Sequence, residues 1–294
     1  MKKITAKVLI SVTILALGAS AFIVFSHSVK IKNLSTILPF TEQNKKIKLL
    51  IVPGHEPNAG GASYGKINER DLNLQLSEIL KNDLSKNTNI EVTLARDENG
   101  WNSDLKNYIE TSSTTIMSWV ADMKNKMLAK VNTGKIELIN PNMKHNNATD
   151  EAVLYLYGTN KWIDENNIDL VLHVHFNNNP KYKGKPNYSG YCIYVPDSQY
   201  GNASSSRIFA NYLNDEISKI EKKSNMPQEK ETIIPDQQLI AIGNYDTLKI
   251  PSAVVEYAYI YEPMMTSSST RNNFINKAAS STAAAIEKYI EDQF

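Results

Sequence analysis

The sequence predicts an α/β fold: a mostly parallel, twisted sheet flanked by helices on both faces. Short apolar runs of strand length alternate along the chain with longer segments in which apolar residues recur at every third or fourth position. Strands that alternate with helices in this way pair in parallel, and the helices cover the sheet. The composition, with 41% hydrophobic and 21% charged residues in 294, is that of a globular protein large enough for such a core.

The first predicted elements form a strand–helix–strand unit. The apolar run IKLLIV (47–52) is a buried strand that stops at a Pro-Gly pair. The segment DLNLQLSEILKNDL (71–84) is a helix, because one face of it carries a row of apolar residues: Leu72, Leu76, Ile79, Leu80 and Leu84. The run IEVTLA (90–95) is the next strand.

An insertion is predicted at about residues 98–149, because this stretch is rich in Asn, Lys, Ser and Thr and is too long for an ordinary connection. It contains one predicted helix, at 114–131. Two interpretations stay open: a lid whose side chains reach a metal ion, or a solvated outer helix that packs Trp119 and Met123 on the domain. The side chains that the lid would offer are Glu110, Asp122, Glu137 and His145.

The rest of the chain continues the alternation. A helix at 148–166 leads into the long apolar strand IDLVLHV (168–174), and a helix at 204–220 begins with serine residues, which favour helix caps. The other predicted elements are strands at 189–195, 239–244 and 251–259 and a final helix at 272–290.

The first 25 residues predict an export signal, either a retained signal-anchor or a cleaved signal peptide. Three lysines precede the uncharged run 8–25, and a positive segment before an apolar one directs a chain across the membrane. A run of this length reaches the lower limit for spanning a bilayer. We expect an N-terminus in the cytoplasm, a linker at 26–46 and an extracytoplasmic catalytic domain at 47–294, held to the cytoplasmic membrane or secreted.

The composition also excludes some classes of function. A net charge of +1 argues against nucleic acid as the main partner, which would favour a strongly basic face. The single cysteine, Cys192, excludes an intramolecular disulfide bond and any metal site built from several cysteines.

Ionisable residues at the carboxyl ends of the predicted strands mark the candidate site, because ligands of open α/β sheets bind at this edge. His55 follows the first strand, His173 and His175 lie at the end of the long apolar strand, and Glu256 lies in the last strand; Glu69 falls in the first turn of a helix. Two histidines and one carboxylate suit a catalytic zinc ion, which lowers the pKa of a water molecule toward 7. A further carboxylate can then carry a proton to a leaving nitrogen.

The residues alone leave alternatives open. Glu69 can instead complement a helix N-terminus with its negative charge. Because alternate residues of a strand share a face, His173 and His175 point the same way, and the spacing does not choose between them as ligands. Glu256 is harder to explain structurally, since an unpaired carboxylate is costly to bury in an apolar strand.

Several motifs, in the same order, resemble those of the zinc-dependent N-acetylmuramoyl-L-alanine amidases of the type 3 class. The resemblance runs from about Ile47 to the C-terminus, interrupted by the insertion. The motifs are PGH (53–55), GGASYG (60–65), ERDLNL (69–74), ARD (95–97), HVHFN (173–177) and PSAVVE (251–256).

The resemblance implies one Zn²⁺ ion bound by His55, Glu69 and His175, with Glu256 as the catalytic acid and base. His173 then stands where the family has serine. Arg96, His173 and Asn177 are the motif residues that we expect to contact the metal ligands and orient them.

The implied substrate is peptidoglycan, and the implied bond is the amide that joins N-acetylmuramic acid to L-alanine of the stem peptide. Such an enzyme acts in cell-wall remodelling or cell separation. Two alternatives remain: a catalytically inactive wall-binding or regulatory protein of the same fold, and a zinc hydrolase of another amide. The sequence identifies no protein activator.

Overall fold

The computed structural model describes residues 46–56, 60–140, 148–178 and 188–294. The predicted leader at 1–25 and nearly all of the predicted linker lie outside these residues, so the prediction of an anchor or signal peptide remains a prediction. Within the described ranges, none of the helices combines the length and the apolar character that crossing a membrane requires.

In the described part of the chain, ten strands form one large sheet and two small hairpins. The strands are β1 (Ile47–Pro53), β2 (Ser63–Tyr64), β3 (Ile67–Asn68), β4 (Ile90–Leu94), β5 (Arg96–Asp97), β6 (Gly100–Trp101), β7 (Leu170–Asn177), β8 (Cys192–Pro196), β9 (Ile233–Asp236) and β10 (Ser252–Tyr259). The large sheet has six strands in the order β4-β1-β7-β10-β8-β9, while β2 pairs with β3 and β5 with β6.

Six α-helices accompany the strands within the same described ranges. They are α1 (Glu69–Leu84), α2 (Ser103–Asn132), α3 (Asp150–Glu165), α4 (Ala203–Ile217), α5 (Pro263–Thr266) and α6 (Ser268–Gln293). Short 3₁₀ turns lie at Pro227–Glu229, Ile240–Ile242 and Asn244–Asp246.

The sheet is mostly parallel, as the sequence predicts. Strands β4, β1, β7 and β10 run in one direction, and β8 is antiparallel to β10. The carboxyl ends of β1, β7 and β10 therefore meet at one edge of the sheet, which we call the carboxyl edge. Neighbouring strands at this edge lie about 4.8 Å apart, so side chains from all three can converge.

Helices pack on both faces of the sheet, because successive side chains of a strand point to opposite faces. Along β7, Leu172 and Val174 join a large cluster with the buried residues of α1, α4 and α6. Val171 instead belongs to a cluster with residues of α2 and α3. Helix α1 buries the apolar face that its spacing predicts, and its residues Leu76 and Leu80 are fully buried.

The predicted strand at 239–244 is wrong, since the chain there forms two 3₁₀ turns. Gly243 has φ of 100°, and Tyr245 and Asp246 also have positive φ, so the backbone cannot continue as an extended strand. Strand β9 is the strand of the large sheet that the sequence pattern missed, and the pattern also predicts neither the four short hairpin strands nor α5. Strand β9 is short and contains Pro235, which an edge strand tolerates because its outer face needs no hydrogen-bond donor.

The helix of the insertion is longer than predicted. It begins at Ser103, where the Asn102 side chain accepts hydrogen bonds from the backbone N–H groups of Asp104 and Leu105. Its buried residues Ile109 and Ile116 pack against α3 and the adjoining face of the sheet. The run TSSTT (111–115) interrupts the apolar period between Ile109 and Ile116, so the sequence pattern gives a start that is too late.

Candidate metal centre

Three segments bring two imidazoles and one carboxylate together at the carboxyl edge. His55 lies two residues beyond β1, Glu69 is the first residue of α1, and His175 lies near the end of β7. Among the described residues, these three are the one group whose side chains could share a metal ion: one ligand atom from each lies within 4.8 Å of the others.

The carboxylate of Glu69 lies between the two rings. Its Oε2 is 2.9 Å from Nε2 of His55, and its Oε1 is 3.0 Å from Nδ1 of His175. The centroids of the two rings are 5.2 Å apart, with their planes at 70°. The backbone N–H of Ala62 also donates to Oε2 at 3.0 Å, which fixes the carboxylate from the side of the β2–β3 hairpin. All three groups thus lie close enough to share one ion.

The Pro-Gly-His turn explains how His55 reaches this point. His55 has φ of 68°, the left-handed region that non-glycine residues seldom adopt and that turns its side chain away from the strand direction. Gly54 lies so close to the His175 ring that any side chain there would collide with it. The turn therefore positions His55 and also leaves room for the ring of His175.

Glu69 is held in its ionised form. Burial acts to raise the pKa of Glu69, but the hydrogen bonds from His175 and His55 outweigh it and hold this pKa far below its ordinary value. Burial lowers the pKa of His175, whereas for His55 the bond to Glu69 overcomes burial and raises the pKa. The difference follows from position, because His55 is the more exposed of the two rings.

Glu256 lies beside the cluster on the neighbouring strand. It pairs in register with His175 of β7, so the two side chains are neighbours on the same face of the sheet. Burial and the negative charges of Glu69 and Glu229 raise its pKa well above the ordinary value. Its buried Oε2 has no hydrogen-bond partner within the part of the chain that the structure describes. Such an oxygen is available to a ligand.

His173 takes no part in the cluster. It is buried in the sheet, where desolvation lowers its pKa to about 3, assisted by the nearby His175. Its other described interaction is a hydrogen bond with the backbone of Ala241. The structure therefore gives His175 the position beside Glu69 and makes His173 a neutral core histidine.

The other two motif residues have different surroundings. Arg96 is buried and donates four hydrogen bonds to backbone carbonyls around the Pro-Gly-His turn. Asn177 donates instead to Glu229, at 2.7 Å from Oε1, so its carboxamide does not touch a histidine of the cluster.

Glu229 is a buried carboxylate that sequence reasoning missed. Besides Asn177, it accepts hydrogen bonds from the hydroxyl groups of Tyr194, Ser224 and Tyr259. It lies in a polar run without periodicity, PQEKET, and nothing in that pattern distinguishes a buried glutamate from an exposed one. Only the fold reveals a second carboxylate close enough to influence Glu256.

The insertion contributes no ligand from its described residues. Glu110 lies near Lys106 and the hydroxyl of Tyr155, and Asp122 forms an ion pair with Lys126 on its own helix. Glu137 is exposed, and the metal-binding group contains none of the three. His145 lies outside the described residues.

Solved structures of cell-wall amidases share the fold. The N-acetylmuramoyl-L-alanine amidase from Clostridium difficile 630 is 14% identical, with a TM-score of 0.52 over 85% of this chain and 100% of that chain. The catalytic domain of CwlV, an N-acetylmuramoyl-L-alanine amidase from Bacillus (Paenibacillus) polymyxa var. colistinus, is 15% identical, with a TM-score of 0.51 over 83% and 98%. The CwlD amidase from Clostridioides difficile, solved in complex with the GerS lipoprotein, is 15% identical, with a TM-score of 0.54 over 84% and 100%.

The sequence itself identifies the family. No protein of curated function matches the chain. A family model described as N-acetylmuramoyl-L-alanine amidase, however, matches residues 49–288. This range includes the large sheet except the first two residues of β1, and all three members of the histidine–glutamate cluster. The chain therefore belongs to the N-acetylmuramoyl-L-alanine amidase family of cell-wall hydrolases.

Proposed function

We propose that this chain hydrolyses the amide between N-acetylmuramic acid and L-alanine of the peptidoglycan stem peptide. It would use one Zn²⁺ ion bound by His55, Glu69 and His175, with Glu256 as the acid and base. The observation that carries the proposal is the convergence of two imidazoles and a carboxylate beside a second carboxylate at the carboxyl edge.

The donor set fits zinc. Zinc in hydrolases is commonly held by three nitrogen or carboxylate-oxygen ligands, and the fourth position stays open for water or substrate. The two ring nitrogens that face Glu69 each contact a different oxygen of its carboxylate, so an ion bound among the three groups would replace these two hydrogen bonds. When bound, zinc supplies a Lewis acid that polarises a carbonyl group and lowers the pKa of water.

The residues of the chain supply the rest of the chemistry. The ionised Glu69 offsets the positive charge of a cation, and its own position is fixed by the N–H of Ala62. Glu256 can accept a proton from the attacking water and return it to the leaving alanine nitrogen, as general acid–base catalysis requires. Its raised pKa suits the return of the proton, because a carboxyl group with an ordinary pKa is a poor acid at neutral pH.

The predicted leader suits an enzyme that is exported. Lysines followed by an uncharged run, as in residues 1–25, direct a chain across the membrane. The location outside the cytoplasm follows from the substrate of the family.

Digestion of purified sacculi by the zinc-loaded protein tests the proposal. We expect release of stem peptides that begin with a free L-alanine amino group, identified by mass spectrometry, together with one zinc per chain by elemental analysis. Binding to sacculi without any released peptide would favour the inactive wall-binding alternative. Cleavage of a different bond would favour a hydrolase of another amide, and either result would overturn the proposed reaction.

A further inference from the structure

Arg96 is a buried cation whose surroundings need an explanation. Only 2% of it is exposed, and within the described part of the chain no carboxylate lies at ion-pair distance from it. Burial, together with the neighbouring Arg70, lowers the pKa of Arg96 to about 10, so the guanidinium still carries its charge at neutral pH. A buried charge without a counter-ion is costly unless its hydrogen bonds compensate.

The compensation comes from four backbone carbonyl groups. Nε donates to the carbonyl oxygens of Pro53 at 3.1 Å and His55 at 2.9 Å. Nη2 donates to those of Gly54 at 2.8 Å and Arg70 at 3.0 Å. One edge of the planar guanidinium therefore holds three consecutive carbonyls of the Pro-Gly-His turn and one carbonyl of the first turn of α1.

These four carbonyls belong to the two segments that carry the first two ligands. His55 is itself one of the acceptors, and Arg70 is the residue after Glu69. Other contacts on the turn come from Asn73, which donates to the Gly54 carbonyl at 3.2 Å, and from the Gly54 N–H, which donates to Val174. Arg96 thus joins the strained turn to the first turn of the helix, and Asn73 adds a second link from the same helix.

The charge of Arg96 cannot be the reason for its position, because a positive group this close to the cluster opposes the binding of a cation. Its geometry can be the reason. Arginine presents several donors in a rigid plane, whereas lysine presents a compact ammonium on a flexible stem. The planar fork can hold carbonyls from two segments in fixed positions at once, which a flexible ammonium does less well.

We propose that Arg96 is a positioning residue of the metal centre, which sets the His55 imidazole against the Glu69 carboxylate through their backbones. This inference rests on the proposed zinc site, which it deepens. Removing a group that orients a metal ligand typically weakens metal binding 10–100-fold. The expected loss therefore concerns zinc affinity itself, measured without any substrate.

The test is a zinc titration of the metal-free full-length chain against a chromophoric chelator, for the wild type, Arg96→Lys and Arg96→Gln. Arg96→Lys retains the charge and Arg96→Gln retains a planar donor, but neither reaches four carbonyls. We expect both to bind Zn²⁺ about 10–100-fold more weakly than the wild type. Affinities within twofold of the wild type would overturn the inference.

Asn160→Ala is the matched control for a loss that is merely structural. Asn160 is also fully buried and also bridges segments, donating to the Ile240 carbonyl at 2.7 Å and to Thr247 at 3.2 Å, but it touches no residue of the cluster. The Asn160→Ala substitution should lower the Tm of the metal-free chain and leave its zinc affinity unchanged. If Arg96→Lys lowers the Tm no more than this control and still loses zinc affinity, the positioning role is supported.

If the Arg96 variants lose their far-ultraviolet circular dichroism signal and are therefore unfolded, Asn73→Ala provides a second test of the inference. It removes a single hydrogen bond to the same turn without burying or deleting a charge. A several-fold weaker affinity for Zn²⁺ supports the positioning of the turn, and an unchanged affinity overturns it. A wild type that binds no zinc would overturn the proposed function, whereas equal affinities of wild type and variants would overturn only the role of Arg96.

Discussion

A side chain on Gly54 and the ring of His175 cannot occupy the same space. A Cβ atom added at Gly54 would lie 2.3 Å from Cε1 and 2.4 Å from Nε2 of His175, well inside van der Waals contact. The glycine after β1 is therefore required by a ligand that lies on β7, the neighbouring strand of the sheet.

Gly54→Ala should abolish most zinc binding, because the methyl group pushes the His175 ring away from Glu69. Elemental analysis of the purified variant checks this expectation. Gly60→Ala is the control from the adjoining loop, since nothing lies within 4 Å of a Cβ atom at that position. Equal zinc content in the two variants would show that the close approach does not constrain the ligand.

His175→Ala should lose zinc and activity together, whereas His173→Ala should retain most of its zinc. The physical reason is position: His175 lies 3.0 Å from Glu69, and His173 is buried in the sheet away from the carboxylate. Zinc content by elemental analysis distinguishes the two variants. The reverse ranking would mean that the ligand is His173.

Much of this site can be predicted from the sequence because each candidate follows or begins a recognisable element. The run before Pro53 predicts a strand end and therefore the place of His55, and the apolar face of the following helix predicts that Glu69 lies at its start. The choice between His173 and His175 could not be made from spacing alone, since a strand gives both the same face. Their different distances to Glu69 depend on how far β7 extends past β1.

The contacts that the sequence could not supply are those between distant polar segments. Glu229 becomes a partner of the site only through the fold, and its sequence surroundings carry no periodic signal. Asn73 lies on a helix that the sequence predicts, but its hydrogen bond to the Gly54 carbonyl depends on the fold. The false strand at 239–244 has the opposite cause. Its residues are apolar enough for a strand, but Gly243 and the positive φ of Tyr245 turn the chain into 3₁₀ geometry.

Glu256→Gln should retain zinc and lose hydrolysis. Glutamine has the size and shape of glutamate but cannot accept and return a proton, so binding survives while proton transfer fails. Loss of general acid–base catalysis commonly lowers rates 10²–10⁴-fold, and we expect a loss of about this size in the release of stem peptides from sacculi. Retained activity in a variant with full zinc content would exclude Glu256 as the acid and base.

His173 should make the metal-free protein less stable as the pH falls. Its pKa is about 3 in the folded chain and about 6.5 when unfolded, so between these values the unfolded chain binds the additional proton. The stabilising contribution is complete above pH 6.5 and is lost as the pH falls toward 3. At about 1.4 kcal/mol per pKa unit, the loss at pH 5 is about 2 kcal/mol.

His173→Gln isolates this contribution, because glutamine does not titrate. Urea unfolding of the metal-free wild type and variant at pH 7 and pH 5 gives the two changes in the free energy of unfolding. The change should be smaller in the variant by about 2 kcal/mol. The same change in both proteins would mean that His173 is able to take up a proton in the folded chain.

The insertion helix should matter for stability more than for access to the site. Ile109 and Ile116 of α2 are fully buried. Ile109 packs directly on Gly158 of α3, since a Cβ atom added at Gly158 would lie only 2.7 Å from the Ile109 side chain. Ile116→Ala should therefore lower the free energy of unfolding by about 2–5 kcal/mol, the usual cost of emptying such a position. Its zinc affinity should not change, because the described part of α2 contributes nothing to the cluster.

Deletion of residues 104–147 should reduce activity, because it exposes the core beneath α2. A deletion variant that stays folded and digests sacculi faster than the wild type would instead establish the insertion as a plug.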